Sequence, residues 1–148
     1  MLSIRKFQPA DFQQVMMIEK EAFHDHNPLA YMRLYELNPD GFLVVEKDGI
    51  VIGFVVGILI SKNTGRVLSI AVANEYRRSG VATQLMDEVL KLFTESGVKS
   101  IRLEVRRSNI GAQQFYQRLG FMVEGVVPQY YSNGEDAIVM VKKLGKRS

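Results

Sequence analysis

The residues with the clearest capacity for chemistry fall in three places along a chain of 148 residues. The first is Leu68–Met86, LSIAVANEYRRSGVATQLM, which reads as a strand passing through a basic, glycine-containing turn into a helix. Such a junction suits an anion, because the first N–H groups of a helix have no backbone partner and the helix dipole adds partial positive charge there. The plainer reading is a helix start capped by Ser79, with Gly80 placed for close packing and Arg77 and Arg78 in water. The second place is Glu104, flanked by Arg102 and Arg106 on one strand face. A carboxylate there could take a proton from an amine, directly or through water, if burial raised its pKa towards neutrality. Equally, it could belong to an exposed charge row worth little to stability. The third is the segment 109–119, where Ala112, Phe115, Tyr116 and Leu119 recur at helical spacing and Asn109 sits at the N-cap. Tyr116 can be a core tyrosine whose hydroxyl needs one partner.

Composition narrows the chemistry. The sequence has no cysteine, which excludes disulfides, thiolate metal sites and a cysteine nucleophile. Its two histidines, His24 and His26, are too few for a zinc site and read as exposed loop residues. No metal is expected. A balance of 19 basic to 16 acidic residues gives +3, without the clustered basic stripe of a nucleic-acid protein; the basic end Lys142–Arg147 reads as solvated. The first residues alternate polar and apolar and contain no long apolar run, so neither a signal peptide nor a membrane span is expected, and a cytoplasmic protein is. Length and a 47% hydrophobic content predict one compact domain over residues 1–148, burying about two-thirds of its unfolded surface.

The elements that must position these residues follow from periodicity. Leu2–Phe7 alternates as a first strand, and Pro9 favours a helix start. Phe12, Val15, Met16, Glu19, Ala22 and Phe23 mark a first helix, broken by His24–Pro28, and Leu29–Leu37 a second. Phe42–Glu46 and Ile50–Ile60 flank the hairpin signal Lys47-Asp48-Gly49, and Lys62–Gly65 turns the chain into Arg66–Val72, completing an antiparallel meander. Ala82, Leu85, Met86, Val89 and Phe93 then form one helical face closed by Gly97. Lys99–Arg106 is the next strand, able to pair in parallel with 66–72 through a right-handed crossover. A helix over 109–119 and strands over 121–127 and 137–144 complete the order β-α-α-β-β-β-α-β-α-β-β, an α/β fold with a mixed sheet and helices on its faces.

Within this order, Arg77-x-x-Gly80-x-Ala82 between strand and helix, then Leu103-Glu-Val-Arg-x-Ser-Asn109, Phe115-Tyr116 and Leu119-Gly-Phe121, resembles the GNAT superfamily of acetyl-coenzyme A-dependent N-acetyltransferases. The resemblance spans nearly the whole chain. Tyr130-Tyr131 followed by Gly134-Glu-Asp-Ala-Ile-Val-Met140 resembles in particular the ribosomal-protein-alanine and protein N-terminal acetyltransferases. Gly80 and Ala82 would let backbone N–H groups approach a coenzyme A pyrophosphate, and Arg77 and Arg78 would supply charge. Neither a Gly-Lys-Ser/Thr nor a Gly-x-Gly-x-x-Gly motif competes for that role. The resemblance implies that Ile70, Ala71 and Val72 hold the pantetheine through main-chain bonds and that Arg78, Ser79, Gly80, Val81, Ala82 and Thr83 wrap the pyrophosphate. It also implies that Glu104 is the general base, Tyr116 the proton donor to the departing thiolate and Asn109 a further cofactor contact.

The acceptor half of such an enzyme would lie in two loops. The resemblance makes Tyr130 and Tyr131 substrate-binding; in an extended segment they would point to opposite sides. The other loop, Phe23-His-Asp-His-Asn-Pro28, matches neither the aromatic Pro-Trp pattern of the bacterial enzymes nor the acidic Leu-Pro-Glu pattern of the eukaryotic ones. An α-amine with a pKa of ~7.7–8.0 is partly neutral at pH 7, unlike lysine near ~10.4, so a protein N-terminus, a ribosomal protein among the candidates, is the easier acceptor. With no cysteine to carry an acyl group, the expected route is direct attack in a ternary complex. A small-molecule amine or a lysine as acceptor, a non-catalytic coenzyme A-binding module, and a monomer or a homodimer all remain open on sequence.

Overall fold

The computed structural model describes residues 2–22 and 28–145. Its elements are β1 (Leu2–Lys6), α1 (Phe12–Ala22), α2 (Pro28–Leu37), β2 (Phe42–Lys47), β3 (Ile50–Leu59), β4 (Thr64–Val72), α3 (Val81–Glu95), β5 (Ser100–Arg106), α4 (Ile110–Arg118), β6 (Met122–Val127) and β7 (Ala137–Lys143). The seven strands hydrogen-bond in the order β1-β2-β3-β4-β5-β7-β6, a mixed sheet in which β4 and β5 run parallel. The β1–β2, β2–β3, β5–β7 and β6–β7 pairs are antiparallel. The expected order of elements is therefore the observed one. Single 3-10 turns at Pro9–Asp11, Pro39–Gly41 and Asn74–Tyr76 were not foreseen, being too short to carry a hydrophobic period.

The chain forms two compact units, Met1–Ile58 with Leu68–Phe93, and Leu59–Val67 with Thr94–Ser148. In the first, β2 and β3 are apolar on both faces, with Val44, Val45, Val55 and Val56 fully buried. One core gathers Phe7, Val15, Met16, Ile18, Tyr31, Phe42 and Phe54, with Phe7 stacked on Phe42 at 4.2 Å between ring centroids. Helix α3 buries Val81, Leu85, Met86, Val89 and Phe93. The expected face is shifted at its first residue, since Val81 is buried and Ala82 only partly so. Gly57 is what lets α3 come so near β3: a Cβ there would lie 2.8 Å from Phe93 Cζ and 2.9 Å from Val89 Cγ2.

Where β1 leads into α1, Arg5 grips Asp11 with two parallel hydrogen bonds, Nη1 to Oδ2 at 2.8 Å and Nη2 to Oδ1 at 2.9 Å, while its Nε donates to Glu46 at 2.6 Å. Asp11 is buried and also accepts from the Gln8 N–H at 2.8 Å. The Arg5 guanidinium, more than burial opposes it, holds the Asp11 carboxyl below the usual carboxylate range.

In the second unit, Thr64, Gly65 and Arg66 of β4 pair with Ser100, Ile101 and Arg102 of β5. The parallel pairing is the expected one, but it begins at Thr64, inside the stretch expected to be a turn. β5 pairs along its whole length with β7, from Ser100↔Lys143 to Arg106↔Ala137. Ile101, Leu103 and Val105 are buried, leaving Arg102, Glu104 and Arg106 on the opposite face, as the alternation predicts.

Two stability predictions follow from these contacts. Gly57→Ala overpacks the α3–β3 contact and should cost about 1–3 kcal/mol, read as a lower urea midpoint at unchanged m-value. Arg5→Met leaves the buried Asp11 carboxylate without its cation and should cost about 1–3 kcal/mol at pH 7. Because the folded Asp11 pKa is depressed, the wild-type advantage is complete above the unfolded value of ~3.9 and is lost as pH falls through the lower folded value. Melting temperatures of wild type and Arg5→Met should therefore converge in acid; a gap that persists undiminished at pH 2 would contradict this assignment.

Candidate active site

The turn after β4 is built in the first unit. Ala71 and Val72 are buried and Ile70 half-buried. The Ala73 N–H donates to the Ile52 carbonyl at 2.8 Å, and one 3-10 turn at Asn74–Tyr76 follows. Arg77 then folds back so that its Nε donates to the Val72 carbonyl at 3.1 Å, which makes it a brace for the strand end as well as a charge. Arg78 (φ 64°) and Gly80 (φ 85°) both adopt the left-handed conformation. Gly80 is needed for that conformation and not for close packing, since a Cβ there would meet nothing within 4 Å. Nor does Ser79 cap the helix: its hydroxyl donates to the Tyr76 carbonyl. The first N–H to bond back within α3 is that of Gln84, to the Gly80 carbonyl at 3.1 Å. The preceding N–H groups, those of Val81, Ala82 and Thr83, are the ones a helix start leaves free for an anion. With Arg77 to Gly80 exposed, the turn fits a phosphate-bearing group such as the coenzyme A pyrophosphate.

Glu104 lies in the second unit, two residues beyond the last β4–β5 pair. Its side chain is 6% exposed, and each carboxylate oxygen faces a different guanidinium at 2.8 Å: Oε1 is ion-paired with Arg66 Nη2, and Oε2 accepts a hydrogen bond from Arg102 Nε. The exposed charge row considered from sequence is thus replaced by a buried carboxylate with two cations. Arg106 bonds Glu135 at 3.0 Å and Asn133 at 3.1 Å. Each carboxylate oxygen keeps a second lone pair, so Glu104 retains acceptor capacity.

Tyr116 packs in an aromatic cluster on α4, 5.3 Å from the Phe115 ring and 5.9 Å from Phe121. Burial, with a smaller contribution from Tyr131, pushes its phenol well above the ordinary range, so it holds its proton throughout neutral pH. Asn109 caps α4 as expected, its Oδ1 accepting from the Ala112 N–H at 3.0 Å.

The segment 128–136 is tied to the end of β5. Arg106 lies over the Tyr131 ring, 4.0 Å from its centroid. Glu135 accepts from the Ser108 N–H at 2.7 Å, and Asp136 accepts from Arg107 at 2.9 Å and from the Gln129 N–H at 3.0 Å. These bonds hold both carboxyls below their usual range, Ser108 contributing most at Glu135 and Gln129 most at Asp136. Gly134 (φ 86°) closes the turn, its N–H donating to the Tyr131 carbonyl at 2.8 Å. The two tyrosines do not point to opposite sides; their rings meet edge to face at 5.0 Å, because the chain is turning there and not extended. Tyr130 is exposed and accepts from Arg66 Nη2 at 2.8 Å. Tyr131 is pushed up to about 12, chiefly by burial and then by Tyr130, with Glu104 and Glu135 adding to the rise and Arg106 opposing it.

The second unit thus gathers Glu104, Tyr116, Tyr130 and Tyr131. The residue that sequence reasoning missed is Arg66, read only as a strand start; its partners are 38 and 64 positions away, and only the strand register brings them to it. His24 and His26 lie outside the described residues. Among the described residues no cluster of side chains could hold a metal, and no helix is long and apolar enough to cross a membrane.

Comparison with known proteins places this geometry. The model of the acetyltransferase (GNAT) family matches residues 8–121. An N-alpha-acetyltransferase of Sulfurisphaera tokodaii is 33% identical, over 95% of this chain and 92% of its own. A putative [ribosomal protein bS18]-alanine N-acetyltransferase of Bacillus subtilis is also 33% identical, over 93% of each. The crystal structure of Ard1 from Thermoplasma volcanium, 34% identical, superposes with a TM-score of 0.94 over 98% of this chain and 99% of that one. On the family model and these relatives, the chain belongs to the GNAT acetyltransferase family and is an acetyl-CoA-dependent acetyltransferase.

Proposed function

We propose that residues 1–148 work as one N-acetyltransferase domain that transfers an acetyl group to the α-amine of a protein N-terminus, by direct attack within a ternary complex. The observation that carries this reading is Glu104: a buried carboxylate, held by Arg66 and Arg102, next to a tyrosine-rich loop. The relatives named for N-alpha and ribosomal-protein-alanine acetylation support the choice of acceptor. A ribosomal protein is the first acceptor to test.

In this mechanism Val81, Ala82 and Thr83 offer their N–H groups to the pyrophosphate, Arg77 and Arg78 add charge, and the main chain at Ile70, Ala71 and Val72 holds the pantetheine. Asn109 both caps α4 and contacts the cofactor. The neutral amine attacks the thioester carbonyl, a C–N bond forms and the C–S bond breaks. Glu104 takes the amine proton; with both oxygens already paired with guanidinium groups, it does so most readily through a water on a remaining lone pair. Tyr116 places its O–H at the leaving sulfur. Its raised pKa widens the gap to a thiol near ~8.5, so it serves by hydrogen bonding to the developing thiolate and relaying a proton, not by remaining ionised itself. No cysteine is present to carry the acetyl group, which favours direct transfer.

The test is mass-spectrometric turnover with acetyl-CoA on a peptide library varied at its first two residues, with N-terminally blocked lysine peptides and free amines alongside. N-terminal acetylation with little transfer to lysine is expected; turnover of free amines alone would sink the reading. Glu104→Gln and Tyr116→Phe should each lower kcat by about 10²–10⁴-fold while acetyl-CoA binding stays near wild type. Wild-type kcat in both variants across pH would remove the two roles.

A further inference from the structure

The geometry points to Arg66 as a positioning residue that couples the base to the acceptor loop: one guanidinium nitrogen, Nη2, pairs by charge with the Glu104 carboxylate and donates a hydrogen bond to the Tyr130 hydroxyl. The inference rests on the acceptor reading above. Both contacts are 2.8 Å long, one an ion pair and the other a hydrogen bond. A single charged nitrogen thus faces both oxygens.

Two further observations argue that this arginine does more than hold the sheet together. Arg66 lies directly across the parallel ladder from Arg102, and like charges on neighbouring strands repel. The fold accepts that pair by placing one carboxylate, Glu104, between them. In addition, Arg66 Nε is buried with no hydrogen-bond partner, an uncompensated cost that an apolar side chain would avoid. The bonds that Arg66 does make are spent on a residue placed in proton transfer and one placed in acceptor binding. As a result, the carboxylate and the acceptor loop cannot shift independently. Displacing Tyr130 frees the guanidinium to rotate, and rotating the guanidinium releases one of the two charged contacts that aim Glu104.

The experiment is a double-mutant cycle of Arg66→Met and Tyr130→Phe, with Arg66→Lys as the conservative variant. The probe is a library peptide that the wild type acetylates. Because one charged nitrogen makes both contacts, a lysine ammonium can stand in for it, whereas methionine keeps the apolar stem and supplies neither charge nor donor. Arg66→Met should lower kcat and raise the peptide KM, with kcat/KM falling by about tenfold or more, the loss expected for a charge-assisted hydrogen bond. Arg66→Lys should recover most of that loss. Adding Tyr130→Phe to Arg66→Met should cost little beyond Arg66→Met alone. Melting temperature and acetyl-CoA affinity, measured on every variant, separate a folding defect from a positioning one. Unchanged kcat and KM in Arg66→Met, a loss that lysine does not recover, or independent multiplication of the two single losses would each overturn the inference while leaving the acceptor reading intact. Failure of the wild type on every peptide would overturn both.

Discussion

A buried carboxylate between two arginines is the interaction around which the second unit is organised. Parallel pairing sets Arg66 opposite Arg102, and only an anion at that place makes the pair tolerable. Glu104, two residues further along β5 on the same face, is that anion. Its structural duty and its proposed catalytic duty are therefore carried by the same two oxygens. Removal of one member of such a cluster leaves a buried charge without its partner, which is why its members must be treated as a set.

The loop that follows is held by the same kind of bond, closer to solvent. Arg106 and Arg107, consecutive at the end of β5, turn to Glu135 and Asp136, consecutive at the end of the loop. The carboxylates also take the backbone N–H groups of Ser108 and Gln129, so the loop is closed on itself as well as on the strand. Tyr131 is fixed under Arg106, and Tyr130 stays exposed with its hydroxyl on Arg66. In the acceptor role proposed for it, a loop held by its own bonds would lose less entropy on binding a peptide.

The turn after β4 obeys a different rule. Its shape is set within Leu68–Met86 by two left-handed residues, a brace from Arg77 to the strand end and the free N–H groups of a helix start. Local sequence can specify such a feature because its parts are neighbours in the chain. Even so, the details moved: Ser79 bonds Tyr76 instead of capping the helix, and Gly80 answers to backbone conformation instead of packing.

The alternation of β5, the apolar face of α3, the cap at Asn109 and the order of the elements were legible in the sequence, because each depends on period or on contacts a few residues apart. What the sequence could not decide was whether Glu104 was an exposed member of a charge row or a buried group, since Arg102, Glu104 and Arg106 look equivalent in a strand. Tertiary structure separated them by register: β4 brought Arg66 to Glu104, and the loop before β7 drew Arg106 away to Glu135. The same register joined Arg66 to Tyr130, across 64 positions that no local pattern connects. Periodicity determines which face a side chain occupies; only the pairing of distant segments determines which charges it meets there.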